Sequence, residues 1–281
     1  MAVPREEFED YSRTVHDYDS TREPVGADPL LALLGEREAL SLLDLGCGTG
    51  NYLARLAPKM ARADGIDCSP AMLERCAAKM KALGLEHVRL TQGSILGSLP
   101  FPDDTYDVVA VNQVLHHVDT PDDHSGSAAV VREAFRTLKP GGLFWVSHCE
   151  PAQSLLGLWW SKLIPRAAVE YGKRQISRAG LERLCTDAGF LAVSSEVGYE
   201  PLQGAAYYNL TGPLSAEFRA GDSMWSMATP EEIAGAGETV RGAMRMGGGG
   251  RLFDAYDASR LEVGQGVLTR GWKPARPQSA M

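Results

Sequence analysis

The sequence predicts an α/β protein, a parallel sheet covered by helices. Between Asp44 and Cys149, strand-like apolar runs alternate with segments patterned as helices, the order that builds parallel sheets. Asp107-Val108-Val109-Ala110-Val111 is a nearly continuous apolar run, which a strand covered on both faces requires. The first run, Leu42-Leu43-Asp44-Leu45, ends in the turn Gly46-Cys47-Gly48-Thr49-Gly50, and a helical pattern begins directly after it. Glycines at a strand end allow a bare backbone to approach a ligand where a side chain would block it.

The remaining elements follow in order. Ala63-Asp64-Gly65-Ile66-Asp67 is a second strand closing on a carboxylate, well placed to accept from ribose hydroxyls. Ser69-Pro70 supplies an N-cap and a first-turn proline, and Met72, Leu73, Cys76, Ala77 and Met80 then share one helical face up to Gly84. Val88-Arg89-Leu90 is a strand followed by the loop Gly93-Ser94-Ile95. A helix over 128–138 stops at Lys139-Pro140-Gly141-Gly142, and Leu143–Ser147 is the next strand. A helix over 177–188, capped by Ser177, leads into the strand Leu191-Ala192-Val193. Gln265–Trp272 is the last strand. Two segments interrupt this order, about 150–176 and 200–262. They carry Trp159, Trp160, Tyr171, Tyr207, Tyr208, Phe218 and Trp225, and the run Gly247–Gly250 within the second marks a loop.

Composition narrows the function. The net charge of −8 over 281 residues argues against a nucleic-acid partner. No apolar run approaches the ~20 residues that span a bilayer. Five scattered cysteines, with no C-x-x-C spacing, argue against disulfides and metal and for a reduced, cytoplasmic protein.

Taken together, these motifs resemble the class I S-adenosylmethionine-dependent methyltransferases, particularly their small-molecule branch. The resemblance rests on Leu43–Gly50, Gly65–Ser69 with Met72, Leu99-Pro100-Phe101 with Asp103, Asp107–Val109 through Leu115-His116-His117-Val118, and Leu138–Gly142, in matching order and spacing. It implies a Rossmann-like, doubly wound, seven-stranded, mostly parallel sheet with helical insertions forming a substrate lid. Residues 1–30 would be a cap segment, 31–150 the donor-binding core, and 151–281 the rest of the sheet with the lid insertions. It implies S-adenosyl-L-methionine as cofactor. Asp44, Gly46, Cys47, Gly48 and Gly50 would lie at its amino-acid end, Asp67 at the ribose, Cys68, Met72, Ser94 and Ile95 around the adenine, and Asn112 and Gln113 near the methionine portion. Ser94 departs from the family, which usually carries Asp there, so the adenine loses a charge-assisted bond. Tyr18 and Arg22, four residues apart on one helical face, would close over the cofactor carboxylate.

Methyl transfer from a sulfonium is an in-line displacement that depends chiefly on alignment, worth ~7–11 kcal/mol of barrier reduction. A base helps when the acceptor is a hydroxyl. His117 and His148 are the candidates, with His16 a further one; the other reading makes His116 and His117 a shelf under the cofactor. The insertion aromatics Trp159, Trp160, Tyr171, Tyr207, Tyr208 and Trp225 are candidates to line the acceptor pocket, the other reading being simple core. The expected function is methyl transfer to O, N or C of a small organic acceptor; the oligomeric state is not legible. The rivals are a catalytically silent S-adenosylmethionine-binding scaffold and a nicotinamide oxidoreductase, the latter weakened because no G-x-G-x-x-G is present.

Overall fold

The computed structural model describes residues 23–276, and within them seven strands form one sheet in the order β3-β2-β1-β4-β5-β7-β6. These are β1 (Ser41–Leu45), β2 (Arg62–Asp67), β3 (Val88–Gln92), β4 (Tyr106–Asn112), β5 (Leu138–His148), β6 (Leu191–Gly198) and β7 (Gly266–Trp272). The first five pair in parallel, while β7 inserts antiparallel between β5 and β6. The sheet is therefore mostly parallel and doubly wound, as the sequence predicts. After β1 the chain moves outward through β2 and β3, then returns to place β4 on the other side of β1. The carboxyl ends of β1 and β4 face each other across that reversal, where such sheets bind ligands.

Strand alternation divides the core in two. Leu43, Leu45, Val109, Val111, Phe144 and Val146 pack toward the helices Ser125–Thr137 and Arg178–Ala188. Leu42, Val108, Ala110, Leu143 and Trp145 pack on the other face, toward the helices Ala27–Leu34, Asn51–Leu56 and Pro70–Ala82. The predicted caps form: Ser69 Oγ accepts from Met72 N, and Ser177 Oγ accepts from Gly180 N.

Three segments differ from expectation. Lys139-Pro140-Gly141-Gly142 is not a break before the strand; β5 already begins at Leu138, and a register shift against β4 with Gly141 at φ +80° absorbs the irregularity. β6 runs on to Gly198, five residues past the expected end, because β7 covers it. The four glycines are only half a loop: Gly247 makes a left-handed turn, but Gly249 and Gly250 open the helix Gly249–Asp257.

The two insertions come together as a helical roof with an apolar core of its own. Trp159, Trp160, Ile164, Tyr207, Met224, Trp225 and Val240 are buried in it. The roof helix Pro230–Arg245 is held by a capping box between Thr229 and Glu232. Trp160 is wholly buried and makes edge contact with Trp159 and Phe218. Trp160→Ala is expected to lower unfolding free energy in urea by about 3–5 kcal/mol while leaving ligand binding at the carboxyl ends of β1 and β4 intact, because the cavity it opens lies in the roof. A loss of both together would show that roof and sheet do not separate in this way.

Candidate active site

A cavity opens at the carboxyl ends of β1 and β4. It is lined by Glu23, Val25, Asp44, Gly46, Cys47, Gly48, Thr49, Asn51, Tyr52, Asn112, Gln113 and Leu202. Each sequence element that builds it has a physical reason. Gly46 sits at φ +75°, and a Cβ there would fall 2.6 Å from Val114 Cγ2, so both conformation and space demand glycine. Gly48, at φ +51°, would direct a Cβ into open space, leaving its backbone bare toward the cavity. Gly50, by contrast, does not line the cavity; at φ +82° it packs against Cys76 and starts the following helix.

Asp67 ties this loop to the second strand. Its Oδ2 accepts from Gly48 N at 2.9 Å and its Oδ1 from Ser69 N at 2.9 Å. The carboxylate keeps acceptor capacity beyond these bonds, so it can still accept from a ribose hydroxyl. Burial pushes its pKa up, while the backbone donors of Ser69, Gly48 and Cys68 pull it down.

Asp44 is the sharpest electrostatic feature. It is 1% exposed within β1, and neither carboxylate oxygen has a hydrogen-bond partner. Burial, reinforced by the charge of Asp67, pushes its pKa up to about 7. Asn112 Oδ1, at the end of β4, is a second buried acceptor without a partner. Orphaned acceptors at a helix-and-strand junction suit a ligand bearing N–H donors, above all a cationic one.

Gln113, the residue after β4, adopts φ +51°, a strained conformation for a side chain of its size. It is held there by three bonds: its backbone N donates to Ser147 O (2.8 Å), its Nε2 donates to Ser147 Oγ (3.1 Å), and its Oε1 accepts from Cys149 Sγ (3.4 Å). Gln113 and Leu202 together form the wall shared with a second cavity, whose lining includes His116, His117, Cys149, Tyr171, Gln203 and Asp222.

The chain matches the family described as "Methyltransferase domain" over residues 42–142. It is 37% identical to the demethylmenaquinone methyltransferase of Lactococcus lactis over 112 residues, 39% of this chain and 42% of that one. To the demethylmenaquinone methyltransferase of Staphylococcus aureus (strain JH9) it is 30% identical over 183 residues, 57% of this chain and 71% of the relative. The chain belongs to the class I S-adenosylmethionine-dependent methyltransferases. Several curated methyltransferases are matched over less than half of their own length. Among solved structures, a putative methyltransferase from an antibiotic biosynthesis pathway of Anabaena variabilis superposes with a TM-score of 0.70 at 16% identity. That likeness, over 90% of this chain and 99% of the other, is one of fold.

S-adenosylmethionine is the cofactor of this methyltransferase family, and the first cavity fits it. Asp44 presents an unpartnered carboxylate suited to the α-ammonium, the bare Gly46–Gly48 backbone suits the amino-acid end, and Asp67 suits the ribose. Asp44, Gly46, Cys47, Gly48, Asn112 and Gln113 line this methyltransferase cavity. Cys68 is exposed beyond Asp67, Met72 is buried in the next helix, and Ile95 is buried in the core. The Ser94 hydroxyl is engaged in its own turn, accepting from Leu96 N at 3.0 Å. Tyr18, Arg22 and His16 lie outside the described residues. Glu23, Val25, Thr49, Asn51, Tyr52 and Leu202 also line the cavity and were not singled out from sequence. Thr49, Asn51 and Tyr52 could have been, since they continue the glycine motif; an isolated Leu202 carries no signal.

Two expectations change. His148 is not placed to act as a base: it is 2% exposed, neither ring nitrogen has a partner, and burial pushes its pKa down to about 4. Ser147 and Cys149 both reach Gln113, so strand alternation turns His148 to the opposite face. Of the six aromatics, only Tyr171 lines the second cavity. Trp159, Trp160, Tyr207 and Trp225 are buried in the roof core, and Tyr208 lies 53% exposed. Trp159 Nε1 donates to Tyr207 O at 2.9 Å, and the Tyr207 hydroxyl donates to Asp257, so these side chains spend their polar groups inside the roof. Among the described residues, no cluster of His, Cys, Asp or Glu is arranged to hold a metal, and no helix is long and apolar enough to cross a membrane.

Proposed function

We propose that the chain transfers a methyl group from S-adenosylmethionine to O, N or C of a small organic acceptor held in the second cavity. The observation that carries this reading is the wall shared by the two cavities: Gln113 and Leu202 face both, so donor and acceptor sites are adjacent. When bound, the cofactor supplies an electrophilic methyl on a sulfonium. The chain's own contribution is to bind and orient. Asp44 neutralises the cationic end, Asp67 fixes the ribose, and Gln113, locked by Ser147 and Cys149, holds the boundary between the sites. His117 is half-buried in the acceptor cavity, beside His116 at 4.0 Å between ring centroids. Its imidazole is placed to take a proton from a hydroxyl acceptor.

We assign residues 31–150 to donor binding and the segments near 150–176 and 200–262 to the roof over the acceptor. The net charge of −8 supports a metabolite rather than a nucleic acid as substrate, and five scattered cysteines without C-x-x-C spacing support a reducing, cytoplasmic setting.

Incubation with radiolabelled S-adenosylmethionine and a small-molecule extract of bacterial cells tests the proposal. Protein-dependent label in an organic product is expected. Tight S-adenosylhomocysteine binding without any labelled product would favour a silent cofactor-binding scaffold instead. His117→Ala is expected to slow transfer to a hydroxyl acceptor by about 10²–10⁴ near neutral pH. Unchanged turnover would remove His117 from the chemistry while leaving methyl transfer intact.

A further inference from the structure

Four glutamines line the acceptor cavity, and three of them are fully engaged in holding the fold. Gln153 Oε1 accepts from Glu150 N, while its Nε2 donates to Val263 O and Gly266 O. Gln265 Oε1 accepts from Leu202 N, while its Nε2 donates to Gly157 O. Gln113 is committed to Ser147 and Cys149. Gln203 differs. Its Nε2 donates to Asp222 Oδ2 at 3.1 Å, but its Oε1 is buried with no hydrogen-bond partner. The residue is only 4% exposed.

This arrangement is built, not incidental. Asp222 Oδ1 accepts from Met224 N at 2.9 Å and thereby caps the short helix Ser223–Ser226. The carboxylate is thus fixed by one oxygen and presents the other to Gln203. Because a carboxylate oxygen accepts, it selects the amide orientation with nitrogen toward Asp222 and oxygen away from it. Gln203 Oε1 is therefore a fixed acceptor, and the one side-chain amide oxygen of the cavity's four glutamines left without a partner. An unpaired buried carbonyl is costly, and a ligand N–H or O–H removes that cost.

We infer that Gln203 is a specificity-determining residue for the acceptor, and that the acceptor is a polar small molecule presenting an O–H or N–H donor to Gln203 Oε1. The claim rests on the methyl-transfer reading and adds the substrate's chemistry to it. The donor group need not be the methylated atom; its bond to Gln203 sets which atom faces the shared wall at Gln113. The apolar side chains of Leu158 and Leu202 also line the cavity, so the substrate carries an apolar part beside the donor. A substrate recognised only through a polyprenyl tail does not answer the orphaned carbonyl.

The experiment uses the full chain, radiolabelled S-adenosylmethionine, and a bacterial metabolite extract divided into aqueous and hexane fractions. Protein-dependent label is expected in the product of the aqueous fraction. Gln203→Met keeps the volume and removes the acceptor. It is expected to raise the amount of aqueous extract needed for half-maximal rate at least about ten-fold, with S-adenosylhomocysteine affinity little changed. Should Gln203→Met fail to fold, Gln203→Asn, which draws the same amide back by one methylene, is expected to shift half-saturation in the same direction. Label confined to the hexane fraction overturns the inference, as does a folded Gln203 variant with unchanged half-saturation. No labelled product from either fraction counts instead against the methyl-transfer reading itself.

Discussion

Asp67→Ala is expected to abolish measurable binding of S-adenosylhomocysteine by calorimetry, a loss of at least about a hundred-fold. Two effects add in the same direction. The hydroxyl contact proposed for Asp67 would disappear, and a hydrogen bond to a charged acceptor contributes about 1.5–3 kcal/mol. The same carboxylate also holds Gly48 N and Ser69 N, so its removal frees the glycine loop that would face the cofactor. Asp67→Asn separates these effects. One amide oxygen can still accept from a backbone N–H, but the amide nitrogen cannot, so an intermediate loss is expected. Near-native affinity in Asp67→Ala would show that the ribose is held elsewhere.

The second large effect is one of stability against function. Asp44→Asn is expected to stabilise the unliganded protein at pH 8 by about 2 kcal/mol while weakening S-adenosylhomocysteine binding ten-fold or more. The sign follows from the raised pKa. Burial and the charge of Asp67 push the folded Asp44 carboxyl up to about 7, from an ordinary value of 3.8. The native state therefore holds its proton more tightly than the unfolded chain. That proton-linked stabilisation is complete below about pH 4 and is lost as pH rises through 7, a swing of about 4 kcal/mol at one and a third per pKa step. Asparagine removes the ionisation cost but leaves a buried amide imperfectly bonded, at about 1–3 kcal/mol, so roughly half the swing is recovered. Thermal melts at pH 5.5 and 8, with and without S-adenosylhomocysteine, check both parts. The variant's melting temperature should lose this pH dependence, and ligand should raise it less than in the parent. An Asp44→Asn protein less stable than the parent at pH 8 would refute the account.

The donor half was legible in the sequence because its rules are local. Gly46, Gly48 and Asp67 each answer to a backbone need that short motifs report, and apolar strands alternating with capped helices set the sheet order. The acceptor half was not legible, for reasons equally physical. Strand alternation hid His148 behind the sheet, a matter of register that a strand-end position does not reveal. The aromatics Trp159, Trp160 and Tyr207 are drawn into the roof's interior because large rings there bury the most surface. Gln203 carries no motif at all. Its significance arises from Asp222, nineteen residues on, and from an oxygen left without a partner.

The roof's separate apolar cluster has a consequence for how this lineage can diverge. The family match ends at residue 142, before either insertion begins. Trp159, Trp160 and Tyr207 pack with one another and with Phe218, Met224 and Trp225, not with the sheet's two cores. Substitutions among roof residues are thus expected to leave the sheet's two cores undisturbed. The same sheet could thus carry differently tailored ceilings without being rebuilt beneath them.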